Sequence, residues 1–234
     1  MEQPEARHGD NLYPVTLTAA FGDHRLALDV PAGVWNPTPH GMHLGHMLTR
    51  LDFTGRRVLE LGTGCGIHAI LIARRGAAAM TLTEVDHTIL DNARHNLTKH
   101  GVVVPTEYVM ADWTHVTSGP FDTVVTNPPF AKSGKRFRRY FIDTLILDAH
   151  KLVRPGGSLV FVQSSMADIP RSVRLMEEHG MGVRVVGERD GPFRDYYFDD
   201  ATFMREIASI PGGYSVRGGE YFERLIVFEA TLPE

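Results

Sequence analysis

Three short segments of this chain combine residue types that can do chemistry. In Leu59-Glu60-Leu61-Gly62-Thr63-Gly64-Cys65-Gly66-Ile67, glycines alternate behind a carboxylate. A loop without Cβ atoms lets backbone N–H groups approach a ligand closely. A dinucleotide fingerprint would want its third glycine at position 67, where Ile67 stands, and would press a pyrophosphate toward Glu60. An anion beside Glu60 is repelled, whereas a ligand carrying an ammonium and a sulfonium is attracted.

The second segment is Thr83-Glu84-Val85-Asp86. An ionised acid has acceptor capacity for both hydroxyls of a ribose, and Glu84 is placed for that role, with Asp86 capping the helix that follows. Asp112 offers an acceptor to an exocyclic amine, and Trp113 a flat apolar neighbour for a purine. The third segment is Asn127-Pro128-Pro129-Phe130. The Asn127 side-chain carbonyl and the Pro128 carbonyl can accept from one amino group, rigid prolines hold them, and Phe130 can pack on a planar substituent. Such a box aims a nitrogen lone pair along a reaction line, which is most of what displacement at a sulfonium carbon requires.

Elements that position these residues alternate as in a mostly parallel α/β sheet. Strands are expected at 57–61, 80–84, 106–110, 122–126, 158–163, 183–187 and 224–230, with helices at 67–75, 87–100, 137–152 and 168–179. The 137–152 helix is expected to stop at Pro155-Gly156-Gly157. Ahead of them, alternation around Gly22-Asp23 predicts a β-hairpin. Residues 1–56 are thus a hairpin and lead-in segment, and 57–234 the main domain. An aromatic insertion at about 191–222 is too long for a plain loop and should have structure of its own.

Glu60-x-Gly62-x-Gly64-x-Gly66, Glu84 and the Asn127-Pro128-Pro129-Phe130 box resemble class I S-adenosylmethionine-dependent methyltransferases, and the box resembles the amino-methylating group among them. The resemblance spans roughly residues 33–163. It implies a Rossmann-like sheet of seven strands with an antiparallel last strand, and S-adenosylmethionine as cofactor. It implies that Glu60, Gly62, Gly64 and Gly66 hold the methionine part and Glu84 the ribose. Asp112 and Trp113 then attend the base, while Asn127 with Pro128 and Phe130 takes the acceptor nitrogen. Gly33-Val34-Trp35-Asn36-Pro37 is similar to the lead-in segment of these enzymes and puts Trp35 beside the substrate, but His40 and His43 stand where an acid or threonine is common.

Composition selects among acceptors. Of 234 residues, 24 are Lys or Arg and 28 Asp or Glu, a net charge of −4 that gives no general attraction to phosphate, so a small-molecule acceptor is expected ahead of nucleic acid. Lys132, Lys135, Arg136, Arg138 and Arg139 form the one basic cluster near the box, read first as a solvated loop. Tyr196 and Tyr197, in the aromatic insertion, are expected to line a lid over a small substrate. Three alternatives stay open. The cofactor's own amino group, held by Asn127 as a cofactor-binding residue and by the Pro128 carbonyl, could attack its Cγ, release methylthioadenosine and close an azetidine-2-carboxylate ring, since the aromatic stretch faintly resembles the synthases that do so. The acceptor could be RNA or a protein glutamine, or the chain could be a non-catalytic scaffold. His40, His43 and His46 recur at three-residue spacing without a cysteine or carboxylate to complete a ligand set, so no metal is expected. A single cysteine, no signal segment and no apolar span predict a cytoplasmic protein; nothing speaks to oligomeric state.

Overall fold

The computed structural model describes residues 13–129 and 139–234. The chain opens with an antiparallel hairpin, β1 (Val15–Phe21) and β2 (His24–Val30), turned at Gly22-Asp23. Helix α1 (Pro39–Leu48) follows, its N-cap Thr38 accepting from the Gly41 N–H. Then β3 (Arg57–Leu61), α2 (Ile67–Arg74), β4 (Ala79–Glu84), α3 (His87–Lys99), β5 (Thr106–Met110) and β6 (Phe121–Thr126) wind in strict alternation up to β5. The second half supplies α4 (Tyr140–Leu152), β7 (Val153–Ser164), α5 (Ile169–Glu178), β8 (Gly182–Pro192), α6 (Ala201–Ala208), β9 (Ser215–Arg217) and β10 (Glu220–Thr231).

The large sheet runs β5-β4-β3-β6-β7-β10-β8, with β9 paired to β10. β3, β4, β5, β6 and β7 pair in parallel, and β10 lies antiparallel between β7 and β8. This is the expected seven-strand, mostly parallel Rossmann-like sheet with its reversed last strand, plus the short β9. Chain order reverses between β3 and β6, so the loops leaving those strands diverge and open a crevice at their carboxyl ends.

Two apolar layers cover the sheet. One holds α1, α2, α3 and the hairpin, with Phe21, Leu26, Leu44, Phe53, Ile70 and Val227 buried together. The other packs α4 and α5 through Leu145, Ile146, Phe161, Met176, Ile226 and Phe228. The hairpin is pinned to α3 as well, because Asn92 and Asn96 donate to the Asp29 carbonyl and Asn96 Oδ1 accepts from the Asp29 N–H. A continuous core therefore runs across the expected 56/57 boundary.

Two expectations are corrected. Pro155-Gly156-Gly157 is not a stop between helix and strand: α4 ends at Leu152 and β7 begins at Val153. Val153 pairs with Phe121 and Ser158 with Thr123, so residues 154–157 bulge out of a strand already begun. The insertion after β8 also folds differently from a cover. Its rings form their own core of Phe193, Tyr197, Phe203 and Ile207 around Met166. The expected start of α4 at Phe137 lies outside the described residues.

Candidate active site

All the parallel strands that carry the motifs end on one side. The glycine loop leaves β3, Glu84 ends β4, Asp112 follows β5 and Asn127 follows β6. Thr126 Oγ1 donates to the Leu61 carbonyl at 2.9 Å, which ties the β6 end to the β3 end just where the loops part.

The loop itself is held by backbone and acid. Gly62 and Thr63 N–H groups donate to the Thr83 carbonyl, and the Gly64 N–H donates to Glu84 Oε1 at 2.9 Å. Gly62, Gly64 and Gly66 have φ of 70°, 53° and 81°, a region that L side chains rarely adopt. Their surroundings differ. A Cβ on Gly64 would meet nothing within 4 Å, whereas one on Gly66 would come 2.8 Å from Leu97 Cδ1. The first two glycines open outward and the third makes room for α3. Gly66 also N-caps α2 with no side-chain acceptor, so the first-turn amides of that helix lack a side-chain cap.

Glu84 is half-buried, and each of its oxygens accepts a backbone N–H, Oε1 from Gly64 and Oε2 from Val85. Burial pushes its carboxyl above the usual range; the two N–H groups pull the other way and the neighbouring Glu60 and Asp86 charges add to the rise. Asp86 caps α3 as expected, accepting from the Thr88 N–H.

Glu60 is 1% exposed and already engaged: Thr63 Oγ1 donates to Oε2 at 2.7 Å and His68 Nδ1 lies 3.1 Å from Oε1. His68 Nε2 in turn lies 2.9 Å from the Gly41 carbonyl. His68 was missed in the sequence reading, where it passes for a buried residue in the first turn of α2. Gly41 has a reason too. A Cβ there would sit 3.4 Å from Asn127 Nδ2 and 3.6 Å from His68 Cε1. The first turn of α1, the start of α2 and the end of β6 thus meet at one point. Asn127 is half-buried there, and among the described residues its carboxamide has no hydrogen-bond partner; Pro128 behind it is buried. Phe130 lies outside the described residues, as do Lys132, Lys135, Arg136 and Arg138.

Other expected positions fall elsewhere. Asp112 is exposed, but Trp113 is 8% exposed, donates Nε1–H to Thr144 Oγ1 and packs edge-on against Phe141, so α4 has taken it into the core. Trp35 is 43% exposed on the segment before α1. Tyr197 is buried among Phe193, Tyr196 and Phe203, so its ring fills the insertion's own core and presents no open face, because neighbouring aromatic residues pack on one another first. Tyr196 is half-buried, its hydroxyl taking an N–H from Arg194 at 2.6 Å. Arg139 is also buried, donating to Asp143, Ser172 and the Ala167 carbonyl, and serves the α4–α5 contact.

The three histidines of α1 diverge. His40 Nδ1 lies 3.0 Å from an Arg194 guanidinium nitrogen, which can only donate, so Nδ1 is the accepting nitrogen; Nε2 and Glu223 Oε2 are buried 3.2 Å apart without hydrogen-bond geometry between them. His43 faces the Gly187 carbonyl and His46 packs on Phe21. Burial holds His43 and His46 below the ordinary imidazole range, with Arg189 and Arg50 adding to it. Among the described residues no three His, Cys, Asp or Glu converge as a metal site, and no helix is long and apolar enough to cross a membrane.

Residues 42–193 match the family model of the methyltransferase small domain. The chain belongs to that family. Its cofactor is S-adenosylmethionine. This methyltransferase domain is 32% identical over 147 residues to the ribosomal RNA small subunit methyltransferase C of Hahella chejuensis, covering 62% of this chain and 41% of that one. It is 32% identical over 149 residues to the release factor glutamine methyltransferase of Chlorobaculum tepidum, covering 50% of this chain and 51% of that one. The chain therefore spans about half the length, or less, of these curated relatives. Among solved structures, the Thermus thermophilus 16S rRNA N2 G1207 methyltransferase in complex with AdoMet and guanosine superposes with a TM-score of 0.63 at 18% identity, covering 94% of this chain and 51% of that one. These relatives overturn the expectation of a small-molecule acceptor with nucleic acid disfavoured, since they are named for ribosomal RNA and for a protein glutamine. Net charge was a poor guide because it averages over a surface, whereas an acceptor meets one face of it.

Proposed function

We propose that this domain is an S-adenosylmethionine-dependent N-methyltransferase whose acceptor is an exocyclic amino group of a base in RNA. The observation that carries the reading is the Asn127 carboxamide placed at the end of β6, beside the open glycine loop and against Gly41, with no hydrogen-bond partner among the described residues. The residues fit the cofactor. Space lies over Gly62 and Gly64, and Glu84 keeps lone pairs free on both oxygens after accepting its two N–H groups. Bound there, S-adenosylmethionine supplies an electrophilic methyl group on its sulfonium. Glu84 holds the ribose hydroxyls, and the glycine loop, braced by Glu60 and His68, holds the methionine end. Asn127 Oδ1 and the Pro128 carbonyl accept the two amino hydrogens of the acceptor and turn its lone pair toward the methyl carbon. An aromatic amine needs orientation more than a strong base, so the engagement of His40 with Arg194 costs the reaction nothing.

A second reading, methylation of a protein glutamine amide, is favoured by the release factor relative, because an amide NH₂ presents the same two hydrogens. Incubation with methyl-tritiated S-adenosylmethionine and, separately, ribosomal RNA, small ribosomal subunits, transfer RNA or a peptide release factor separates the two. Label in RNA that digests to an N-methylated base is the expected result. Label confined to the release factor would establish the second reading instead.

A further inference from the structure

We infer that the face formed by α1 and the edge strand β8 is a docking track for the phosphate backbone of a single-stranded RNA segment, leading to the acceptor site. The inference rests on the RNA reading above and names the surface that would serve it. α1 contains no carboxylate and three histidines. Arg189 reaches its first turn, donating to the Pro39 carbonyl, and Arg194 meets His40 one residue from Gly41 and hence from Asn127. Arg50 lies just past its far end, ~16 Å away at the rise of an α-helix. Beyond Arg50, a cavity of 460 Å³ at the amino ends of β3, β6 and β7 is lined by Arg50, Arg56 and Arg184.

The arginines are unevenly neutralised. Arg184 is paired with Glu229, and among the described residues the Arg56 side chain donates to the Thr123 and Ser158 hydroxyls. Among the described residues neither Arg50, Arg56 nor Arg189 has a carboxylate within ion-pair distance. The acids on this face are Asp52, engaged by Thr54, with Glu229 and the buried Glu223. Five arginines thus stand against three carboxylates in a chain of net charge −4. His43 and His46, held neutral chiefly by burial, add no charge of their own.

A bulge produces this segregation. On β8, Val185 pairs with Phe228 and Gly187 with Val227, which leaves Val186 as the extra residue. Arg184 before the bulge and Gly187 and Arg189 after it therefore face α1, and a Cβ on Gly187 would overlap Met47 of that helix. Glu188 and Asp190 are turned to the opposite face, where they pair with Arg224 and Arg217. In uninterrupted alternation Arg184 and Arg189, five residues apart, would face opposite sides, and Glu188 and Asp190 would share the α1 side with Arg184. One face of the strand is left cationic and the other neutral, and only the cationic one adjoins the candidate site.

The test measures binding of a fluorescein-labelled, mixed-sequence single-stranded RNA by the full chain as salt is varied. The double variant Arg50→Gln/Arg189→Gln is compared with Arg217→Gln/Arg224→Gln, which removes the same charge from the opposite face. Both positions of the first pair are exposed and make only weak contacts, and thermal melting checks that each variant is folded. Loss of two phosphate contacts should make the slope of log affinity against log salt shallower by about 1.4, or about 25-fold in affinity at 0.1 M salt, while the control pair keeps the wild-type slope. Equal slopes in both variants, with wild-type protein still labelling RNA, would overturn the track and leave the RNA reading intact. Failure of wild-type protein to bind or label any RNA, with label passing to a release factor, would overturn both.

Discussion

Beneath the glycine loop His68 joins two elements that carry the candidate site: its Nδ1 lies 3.1 Å from Glu60 Oε1 while its Nε2 lies 2.9 Å from the Gly41 carbonyl. A carbonyl oxygen and a carboxylate oxygen both only accept, so both ring nitrogens donate, and the ring fixes the Glu60 carboxylate relative to the first turn of α1. That acid sits under the loop proposed to take the cofactor, and Gly41 sits against Asn127, the residue proposed to take the acceptor.

Replacing His68 should therefore affect both ends of the reaction. His68→Ala leaves a buried carboxylate and a buried carbonyl short of a donor, a loss of about 1–3 kcal/mol per unsatisfied group. Thermal melting should show that loss, and calorimetric titration should show weakened S-adenosylmethionine binding. His68→Gln, which can still donate to one of the two oxygens, should recover part of each.

Asn127→Ala removes only the acceptor-side carboxamide. Turnover should fall by at least about 100-fold, since orientation supplies much of the rate, while cofactor affinity measured by titration stays within a few-fold of wild type. Equal loss of binding and turnover would mean that Asn127 holds the cofactor and not the acceptor.

Glycines of the loop separate by what surrounds them. Gly66→Ala meets Leu97 and the Ala93 backbone on top of an unfavourable φ, whereas Gly64→Ala meets an unfavourable φ alone. The first should cost at least about 2 kcal/mol of stability and the second about 1, read by urea denaturation. Gly64→Ala should still weaken cofactor binding, because its methyl group enters the open space over the loop.

Glu84 gives a prediction in pH. Its carboxyl is raised by burial, so the folded state favours the protonated form, and its ionisation opposes folding as pH rises through the folded value. The proposed ribose contact is strongest with the ionised form, which accepts from both hydroxyls. Cofactor affinity should therefore fall on acidification at a pH above that of an ordinary glutamate, and Glu84→Gln should weaken binding by far more than it lowers the melting temperature, since its carbonyl can still accept the Gly64 N–H. A lowered melting temperature with unchanged cofactor affinity would mean that the carboxylate only braces the loop.

Cys65 is buried in the same loop, and its thiol is pushed up to about 12 by burial. Iodoacetamide at pH 8 should leave it unmodified in the folded protein and react fully in urea, which mass spectrometry reads directly.

Much of the scaffold was legible along the chain. The order of strand, loop and helix from Arg57 to Lys99 follows from local periodicity, as do the Asp86 cap and the hairpin turn at Gly22-Asp23. Pro155 misled because proline usually closes an element, and only pairing with Phe121 reveals that the strand had begun. Trp113 and Tyr197 misled for a related reason. An aromatic residue next to a motif reads equally well as ligand contact or core, and the deciding partners, Phe141 and Phe203, are remote from the motif.

By itself the sequence determined the sheet, the glycine loop and the positions of Glu60, Glu84 and Asn127 at strand ends, because each is encoded by residues within a few positions of one another. Only the tertiary structure decided that His68 links Glu60 to Gly41, that Arg194 and Glu223 occupy His40, and that a single extra residue at Val186 gathers arginines on one face of β8. Periodicity records how far each residue is buried within its own element. It carries nothing about which distant element arrives to bury it, and those arrivals set the charge and hydrogen bonding of the site.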